Sequence, residues 1–206
     1  MEPNMYALDI KLILDVLSAI SCQTTTKLLF GSCFSVHKVK KGQLYLPTAE
    51  RTMNFLAEGI LHEYFETSPK LRQPTEGQHS YVKSIRFHHS GLFFPRLPNN
   101  NHSTASSHIS ALSHSLVYRC SYAQIIECYK STPEIADLFL YLLDQWTHRI
   151  NEEIILLHEE PALLRYQKFR DQNDTANQIP QKFIASYLHI SRKHLGRLNR
   201  QMLKKR

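Results

Sequence analysis

The stretch IASYLHISRKHLGRL, residues 184–198, decides the fold of the C-terminal part of this chain. It interleaves apolar residues with arginine, lysine and histidine, and no acidic residue interrupts it. On each side of His189-Ile190 the apolar residues recur three and four positions apart, which is the periodicity of an amphipathic helix. We therefore predict two helices, over residues 180–188 and 191–203, with a short connection between them.

Local signals support this division. Pro180 suits the first turn of a helix, because its missing N–H would be unsatisfied there anyway. Ser191 is a good N-cap, because its hydroxyl can accept a free backbone N–H. Ala185 is small at the point where two crossing helices would approach each other. The residues predicted to face inward are Phe183, Ile184, Tyr187, Leu188, Leu195, Leu198 and Met202. This layout is that of a helix-turn-helix.

The residues on the opposite face predict DNA binding. In a helix-turn-helix, the N-terminal part of the second helix enters the major groove. Arg192 and Lys193 begin that helix and Arg197 lies one turn further on, so their donors would meet the paired acceptors O6 and N7 of guanine. We predict that these three residues read bases. The residues predicted to contact phosphates, which set register rather than specificity, are Gln181, Lys182, Ser191, His194 and Arg200.

The positive charge of the chain is concentrated in the same segment. Residues 181–206 hold eight of the 25 lysines and arginines and no acid, which leaves 17 bases against 18 acids in the other 180 residues. This asymmetry indicates an anionic partner, either nucleic acid or acidic lipid. A solvated basic helix is one alternative. A membrane-surface helix is another, but it requires a broad exposed apolar face. We predict double-stranded DNA as the partner and no membrane association.

The N-terminal part has a different pattern. We predict a helix over residues 5–20, where apolar residues recur four apart. From about residue 34 to 120, short alternating runs are separated by turn residues such as Lys41-Gly42 and Ser90-Gly91. Several short strands at this spacing predict an antiparallel sandwich, roll or barrel. The polar segment at residues 98–107 is predicted to be an exposed loop.

A long amphipathic helix is predicted to start at Pro133, with Ser131 or Thr132 as its cap, and to end near Pro161. With about 25 residues it would be about 38 Å long. Its apolar stripe packs either on the chain's own β domain or on the same helix of a second subunit, and we favour the homodimer. The stripe consists of Ile135, Leu138, Phe139, Leu142, Trp146, Ile150, Ile154 and Leu157, and all except Phe139 and Ile154 are assigned to the pairing.

Residues 179–201, IPQKFIASYLHISRKHLGRLNRQ, resemble the C-terminal helix-turn-helix of Crp/Fnr-type bacterial transcription regulators, particularly the form common in Bacteroidetes. The resemblance extends over the whole chain. KKGQLYLP (residues 40–47) and FLAEGILHEYF (55–65) look like the first strands of that family's cyclic-nucleotide-binding-like β-roll. SHISALSHSLVYRCSYAQIIECYKSTPEI (107–135) is similar to the last strands of the roll and the short helix after them.

The resemblance implies an α+β fold with an N-terminal double-stranded β-roll, a long dimerisation helix, and a C-terminal all-α helix-turn-helix. As a departure from the family, the sequence stops right after the second helix, so we expect no C-terminal wing. The implied domains are a sensor over residues 1–132, the dimerisation helix over 133–158 and the DNA-binding domain over 159–206. It implies a cytoplasmic transcription regulator that binds a near-palindromic site as a homodimer. RNA polymerase and a small-molecule effector of unknown identity are the further partners it implies.

Two departures from the family pattern concern the effector and the turn. Members that bind cyclic AMP have glutamate after the cassette glycine, whereas Gly91 is followed by Leu92. The region expected to hold an arginine for the cyclic phosphate reads Ser106-Ser107, and Arg96 lies too early, so we predict that cyclic AMP is not bound. In the turn, where the family often has glycine, this chain has His189. Histidine tolerates a left-handed backbone better than most residues.

No cofactor is predicted. The iron–sulfur members of the family need an N-terminal cysteine cluster, which Cys22 and Cys33 alone do not supply, and haem is not indicated. We expect all four cysteines, Cys22, Cys33, Cys120 and Cys128, to be ordinary reduced thiols.

The twelve histidines do not predict a metal site. The densest group is His88-His89, His102, His108 and His114. His108 and His114 would share one face of a strand, but no carboxylate or cysteine completes a ligand set at a familiar spacing. Hydrolase, P-loop and dinucleotide-binding motifs are absent from the sequence, so we predict that the protein is not an enzyme.

Two other classes of protein stay open at this point. One is a ligand-binding or protein-interaction β-roll module whose basic tail meets another anionic partner. The other is a metal-dependent β-roll enzyme. We expect neither a transmembrane helix nor a secretory signal, because there is no run of eighteen apolar residues and the first residues include Glu2 and Asp9 without a basic region.

Overall fold

The computed structural model describes residues 23–45, 51–67, 81–95 and 107–203. The predicted helix over residues 5–20 lies outside them, as does nearly all of the predicted loop. Helix α1 (Thr24–Ser32) precedes the strands β1 (Ser35–Val39), β2 (Thr52–Glu58), β3 (Leu61–Thr67), β4 (Tyr81–His88), β5 (Gly91–Phe93), β6 (Ser107–Ala111) and β7 (Ser115–Ser121). The helices that follow are α2 (Tyr122–Ser131), α3 (Glu134–His158), α4 (Ala162–Asp171), α5 (Gln181–Tyr187) and α6 (Arg192–Leu203).

The strands form two antiparallel sheets, in the orders β1-β7-β2-β5 and β4-β3-β6. Both sheets contribute buried side chains to one core: Leu56, Phe93 and Val117 from the first, and Leu61, Ile109 and Ala111 from the second. The turn from β2 to β3 needs glycine, because Gly59 has φ +97° and a Cβ there would lie 2.5 Å from the carbonyl oxygen of His114. The predicted antiparallel β domain is thus confirmed as a two-sheet roll.

Helix α2 starts with a side-chain cap, whereas helix α3 does not. The capping box of α2 joins the Ser121 backbone N–H to Gln124 Oε1 (2.9 Å) and the Gln124 N–H to Ser121 Oγ (3.2 Å). Helix α3 begins within one residue of Pro133 but has no side-chain cap, so the expected capping by Ser131 or Thr132 is wrong. The Ser131 hydroxyl instead donates to the carbonyl of Cys128 (2.9 Å), inside the preceding helix.

Four of the residues of α3 that were predicted to contact a second subunit are instead buried within their own chain. Ile135, Leu138 and Leu142 are at most 4% exposed and pack with α1, α2, β2 and β7, while Trp146 belongs to the core of the roll. These four side chains are covered by their own chain, so they are not available to a second subunit. Ile150 and Leu157 are half-buried. The most exposed apolar residues of α3 are Leu140, Ile154 and Ile155.

In the part of the chain that the structure describes, no helix combines the length and the apolar character that a membrane span requires.

Candidate nucleic-acid interface

Helices α5 and α6 are joined by the short turn that the sequence predicts. Helix α5 starts one residue after Pro180, whose carbonyl accepts hydrogen bonds from the N–H groups of Phe183 (2.9 Å) and Ile184 (3.3 Å). His189 has φ +54°, and the Ile190 N–H then returns to the carbonyl of Ala185 (3.0 Å). This left-handed residue and its hydrogen bond end α5 and redirect the chain toward α6.

Ser191 caps α6 as predicted. Its Oγ accepts the backbone N–H of His194 at 3.1 Å. Between the two helices lies a core formed by Ala185, Leu188, Leu195 and Leu198, all at most 4% exposed, against which Met202 packs. The same core includes Tyr166 and Phe169 of α4, and the Tyr166 hydroxyl donates to Asn199 Oδ1 on α6. The second helix is therefore fixed on its inner side by both α4 and α5.

The outer side of this unit presents the predicted contact residues. Arg192, Lys193 and Arg197 are exposed on the first two turns of α6. Of the predicted phosphate contacts, Gln181, Lys182, Ser191 and Arg200 are exposed and His194 is half-buried. No aspartate or glutamate occurs in residues 181–203, so the exposed basic groups have no acidic partner within the unit. The three predicted base-reading residues thus lie on the first two turns of α6, Arg200 lies in its last turn, and Gln181 and Lys182 begin α5.

A contact that the sequence did not predict joins α5 to the roll. The Ser186 hydroxyl accepts the backbone N–H of Ser84 at 3.0 Å and lies 3.3 Å from the carbonyl oxygen of Val82, both on β4. The Phe183 ring lies 4.3 Å from the ring of His62 on β3, and His62 Nε2 lies 2.8 Å from Ser84 Oγ. The first helix of the helix-turn-helix is thus docked directly on the three-stranded sheet.

Behind this contact lies a buried network of charged side chains. Arg86 Nε is 2.5 Å from Glu153 Oε2 on α3, and Arg86 Nη1 is 3.9 Å from Glu63 Oε2. Glu63 Oε2 is also 3.2 Å from His88 Nε2. Burial lowers the pKa of His88 below its usual range, although the hydrogen bond with Glu63 opposes the change. The network joins the roll to the long helix α3. It lies where helices α4–α6, which together form the C-terminal domain, pack on the roll.

Burial of both faces of β3 explains why strand alternation could not reveal this network. Neighbouring residues of a regular strand point to opposite faces, yet His62 and Glu63 are both 1% exposed. His62 contacts Phe87 and Phe183 on the side that α5 covers, whereas Glu63 contacts His88 on the side of the roll core. Arg86 and Glu153 lie 67 positions apart in sequence, so no short motif links them.

A cavity of about 680 Å³ opens at the same junction. Its lining combines the roll, α3 and the C-terminal domain, and includes His89, Trp146, Arg149, Phe169, Asn173 and Tyr187. Gly91 also borders it, and a Cβ on Gly91 would lie 3.4 Å from Arg149 Nη1. Burial lowers the pKa of His89 to about 4, and its Nδ1 lies 2.7 Å from the Thr175 hydroxyl of the C-terminal domain.

His108 and His114 do not share one face of a strand, as their spacing had predicted. His108 lies on β6 but His114 lies in the turn before β7, so they do not share a strand face, and that expectation is wrong. His102 lies outside the described residues. Within residues 23–45, 51–67, 81–95 and 107–203, no group of three His, Cys, Asp or Glu side chains could hold a metal ion.

Compared by sequence, the chain matches no protein-family model and no curated protein significantly. Solved structures do match its fold. A CooA variant from Carboxydothermus hydrogenoformans is 15% identical with a TM-score of 0.57, over 94% of this chain and 84% of that one. A Crp/Fnr-family regulator from Eubacterium rectale is 13% identical with a TM-score of 0.56, over 89% and 85%.

A third match is the c-di-GMP-responsive global regulator CLP from Xanthomonas campestris, 11% identical with a TM-score of 0.59, over 89% of this chain and 93% of that one. At identities this low the likeness shows the fold alone. The chain therefore has the α+β architecture of Crp/Fnr regulators, with a cyclic-nucleotide-binding-like β-roll followed by helices, and the resemblance stated from the sequence is confirmed at that level.

Proposed function

We propose that this protein is a sequence-specific DNA-binding transcription regulator of the Crp/Fnr type. The observation that carries the proposal is the capped helix α6, which exposes Arg192, Lys193 and Arg197 while its inner face is held by a helix-turn-helix core. The start of such a helix fits the major groove, and arginine or lysine there pairs with guanine O6 and N7. The function needs no catalytic step and belongs in the cytoplasm, where bacterial DNA is found.

The roles of the other basic residues follow from their positions. Gln181 and Lys182 lie at the start of α5, and Ser191, His194 and Arg200 flank the proposed reading residues on α6. Contacts from these positions to phosphates would fix the register of α6 without reading sequence. Their affinity would depend on salt, because each neutralised phosphate releases condensed counterions.

We propose that two subunits pair through α3, with a seam that differs from the one first assigned. Ala136, Leu140, Leu143, Thr147, Ile150, Ile154 and Leu157 recur at alternating spacings of four and three, which is the heptad pattern of a coiled coil. Leu140 and Ile154 are 59% and 49% exposed in the single chain, so a second helix would bury them. Ile150 and Leu157 of the first assignment remain in this seam.

A two-fold dimer would present two α6 helices to two half-sites about 34 Å apart, which requires a near-palindromic operator.

An effector would act by favouring one placement of these two helices. The cavity beside Arg149 and Tyr187 touches the roll, α3 and the C-terminal domain, so its occupant would bias that placement. We propose that cyclic AMP is not this occupant, since Leu92 replaces the family's glutamate. RNA polymerase would be the downstream partner.

The test compares Arg197→Ala with Lys182→Ala on an operator obtained by selecting bound genomic fragments. Arg197→Ala should weaken operator binding by about 1–3 kcal/mol and relax one base position. Lys182→Ala should weaken operator and random DNA alike and reduce the salt slope by about 1. The measurement is the dissociation constant on both DNAs across a salt series.

Lys130→Ala is the matched control, because Lys130 is 63% exposed on α2 and lies outside the helix-turn-helix. It should leave binding to both DNAs unchanged. If Arg197→Ala and Lys182→Ala change operator and random DNA in the same way, the division into base-reading and phosphate-contacting roles fails. If the unmodified protein retains no genomic DNA, the proposed function itself fails.

A further inference from the structure

Four aromatic side chains from four different elements line the cavity between the roll, α3 and the C-terminal domain. They are Phe87 of β4, Trp146 of α3, Phe169 of α4 and Tyr187 of α5, and we call them the aromatic lining. The rings of Phe87, Phe169 and Tyr187 lie 5.4–6.1 Å from one another between centroids. The cavity volume of about 680 Å³ lies within the range of small-molecule pockets, about 300–1,000 Å³.

The cavity is separate from the interior of the roll. Leu61 and Ile109, which fill the space between the two sheets, do not line it. Trp146 belongs to the core of the roll and also lines the cavity, so it marks the boundary between the two. On the roll side, its ring lies 6.1 Å from that of the buried His88. A ligand in the cavity would therefore contact the roll, α3 and the C-terminal domain together.

Arg149 brings a guanidinium group to this cavity. Its Nε lies 3.9 Å from Glu153 Oε1, beyond hydrogen-bond distance, while Glu153 Oε2 is held by Arg86 Nε at 2.5 Å. Its Nη1 lies 3.4 Å from the place that a Cβ on Gly91 would take, so the group reaches the start of β5. In the described part of the chain, no residue accepts a hydrogen bond from its terminal nitrogens. A guanidinium offers parallel donors of this kind to a carboxylate.

The Tyr187 hydroxyl is a second donor at the cavity. The residue is only 5% exposed and lines the cavity, yet none of the described residues forms a hydrogen bond with its hydroxyl. Burial, followed by the charge of Glu153, raises the pKa of Tyr187, so the hydroxyl keeps its proton and can donate. Because buried tyrosine hydroxyls usually have a partner, this one indicates a ligand that carries an acceptor.

The charges around the cavity limit the charge of such a ligand. Arg149 is the one lysine or arginine among the described residues of the lining, whereas Glu152 and Glu153 both belong to it. One carboxylate would be matched by Arg149. A phosphate monoester carries nearly two negative charges, and the two glutamates would repel the excess. The cavity therefore favours a singly charged, planar anion.

We propose that the cavity binds a small aromatic carboxylate, whose carboxylate accepts hydrogen bonds from Arg149 and Tyr187 while its ring packs on the aromatic lining. As an effector site it rests on the proposed function, whereas the binding itself can be measured without DNA. Arg149 lies on α3 and Tyr187 on the first helix of the helix-turn-helix. One ligand held by both would fix the C-terminal domain to the long helix.

The test uses the fluorescence of Trp146, which is the only tryptophan of the chain and lines the cavity. The probe is hydrocinnamate, which does not absorb where tryptophan is excited, and we expect a saturable change over the millimolar range. The uncharged hydrocinnamamide should bind about tenfold or more weakly, because hydrogen bonds to a charged group are lost. Cyclohexanepropanoate keeps the charge but has no aromatic face, and should bind about threefold more weakly. Phenethyl phosphate should also bind more weakly than hydrocinnamate.

Two variants separate the roles of the polar groups. Arg149→Gln should bind hydrocinnamate about tenfold or more weakly and lose the preference for the carboxylate over the amide, a change that a merely structural role would not produce. Tyr187→Phe removes only the hydroxyl and should weaken binding about threefold or more. Arg51→Gln is the matched control, because Arg51 is an exposed arginine outside the cavity, and it should keep both the affinity and the preference.

The proposal is overturned if hydrocinnamate gives no saturable change, if the amide binds as tightly, or if Arg149→Gln retains the preference for the carboxylate. Tighter binding of phenethyl phosphate would overturn the carboxylate as the class of ligand. The comparison of probes on the unmodified chain decides these outcomes even if Arg149→Gln does not fold. A chain that binds hydrocinnamate but no DNA would refute the proposed function alone, and one that binds DNA but not hydrocinnamate would refute this proposal alone.

Discussion

His189 is the residue on which the geometry of the helix-turn-helix depends most directly. Its φ of +54° lies in the left-handed region, which is costly for residues with a Cβ, though less so for short polar side chains. The side chain is exposed, so it contributes little packing in return. Its conformation is imposed by the Ile190 N–H bond to Ala185 and by the core on both sides of the turn.

Substitutions at His189 should follow the backbone preference of the new residue. His189→Gly should change the free energy of unfolding by no more than about 0.5 kcal/mol, because relief of the left-handed strain is offset by the greater entropy of the unfolded chain. His189→Val should lower it by about 1–2 kcal/mol, because a β-branched residue is strained there. Urea denaturation of both variants measures the difference, and a valine variant as stable as the glycine variant would contradict the argument.

At the scale of the element, α3 carries two apolar faces. One face is covered by the roll through Ile135, Leu138, Leu142 and Trp146. The other follows the heptad pattern and includes the exposed Leu140 and Ile154. Apolar residues on both sides are typical of a helix that is covered on both sides, here by the roll and by a second subunit. The sequence shows the apolar character of both faces but does not tell which face meets the roll.

Charged residues on the outer face of α3 should separate the subunits. In Leu140→Glu combined with Ile154→Glu, two acids from each helix would lie within the proposed seam, where burying unpaired charges is costly. We expect the doubly substituted chain to be a monomer by light scattering at concentrations where the unmodified chain is a dimer. Its helical content should be unchanged.

Ile126→Glu is the control for that experiment, because Ile126 is an apolar residue of similar exposure, 54%, on α2. It should leave the dimer intact. A dimer that persists in the double variant, or an unmodified chain that is monomeric, would count against the seam.

At the scale of the whole molecule, the roll and the C-terminal domain are joined by a continuous core. Ile60 and Phe87 of the roll belong to the same buried cluster as Leu156 of α3, Phe169 and Tyr187. His62 and His89 lie along this junction, where they meet Phe183 and Thr175. Because both histidines are kept neutral by burial, the junction is sensitive to their protonation.

Stability should fall as the pH is lowered. Burial holds the pKa of His62 and of His89 at about 4 in the folded chain, below the ordinary value of about 6.5. The unfolded chain therefore binds protons first, so the stability that these groups contribute is full above about pH 6.5 and is lost as the pH falls toward about 4. Between about pH 7.5 and pH 5 we expect a loss of about 1–2 kcal/mol per histidine.

Urea midpoints at the two pH values measure this loss. His62→Gln and His89→Gln should each reduce the difference in stability between the two pH values, whatever their effect at neutral pH. The exposed His148 provides the control, since its side chain is 72% exposed and His148→Gln should retain the full difference. A pH dependence that His62→Gln and His89→Gln both leave intact would show that other groups are responsible.

The sequence by itself determined the features that depend on local periodicity, capping and charge. These are the strands of the roll, the long helix, the helix pair α5–α6 with its Ser191 cap, and the exposure of Arg192, Lys193 and Arg197. Each depends on residues within a few positions of one another, so the physical cause is contained in a short stretch of sequence.

Only the tertiary structure decided which surfaces meet. The face of α3 that packs on the roll, the Ser186 contact with β4 and the Glu63–Arg86–Glu153 network all join residues that are distant in sequence. Packing between distant segments is selected by the complementarity of whole surfaces, and that information is present only once the chain is folded.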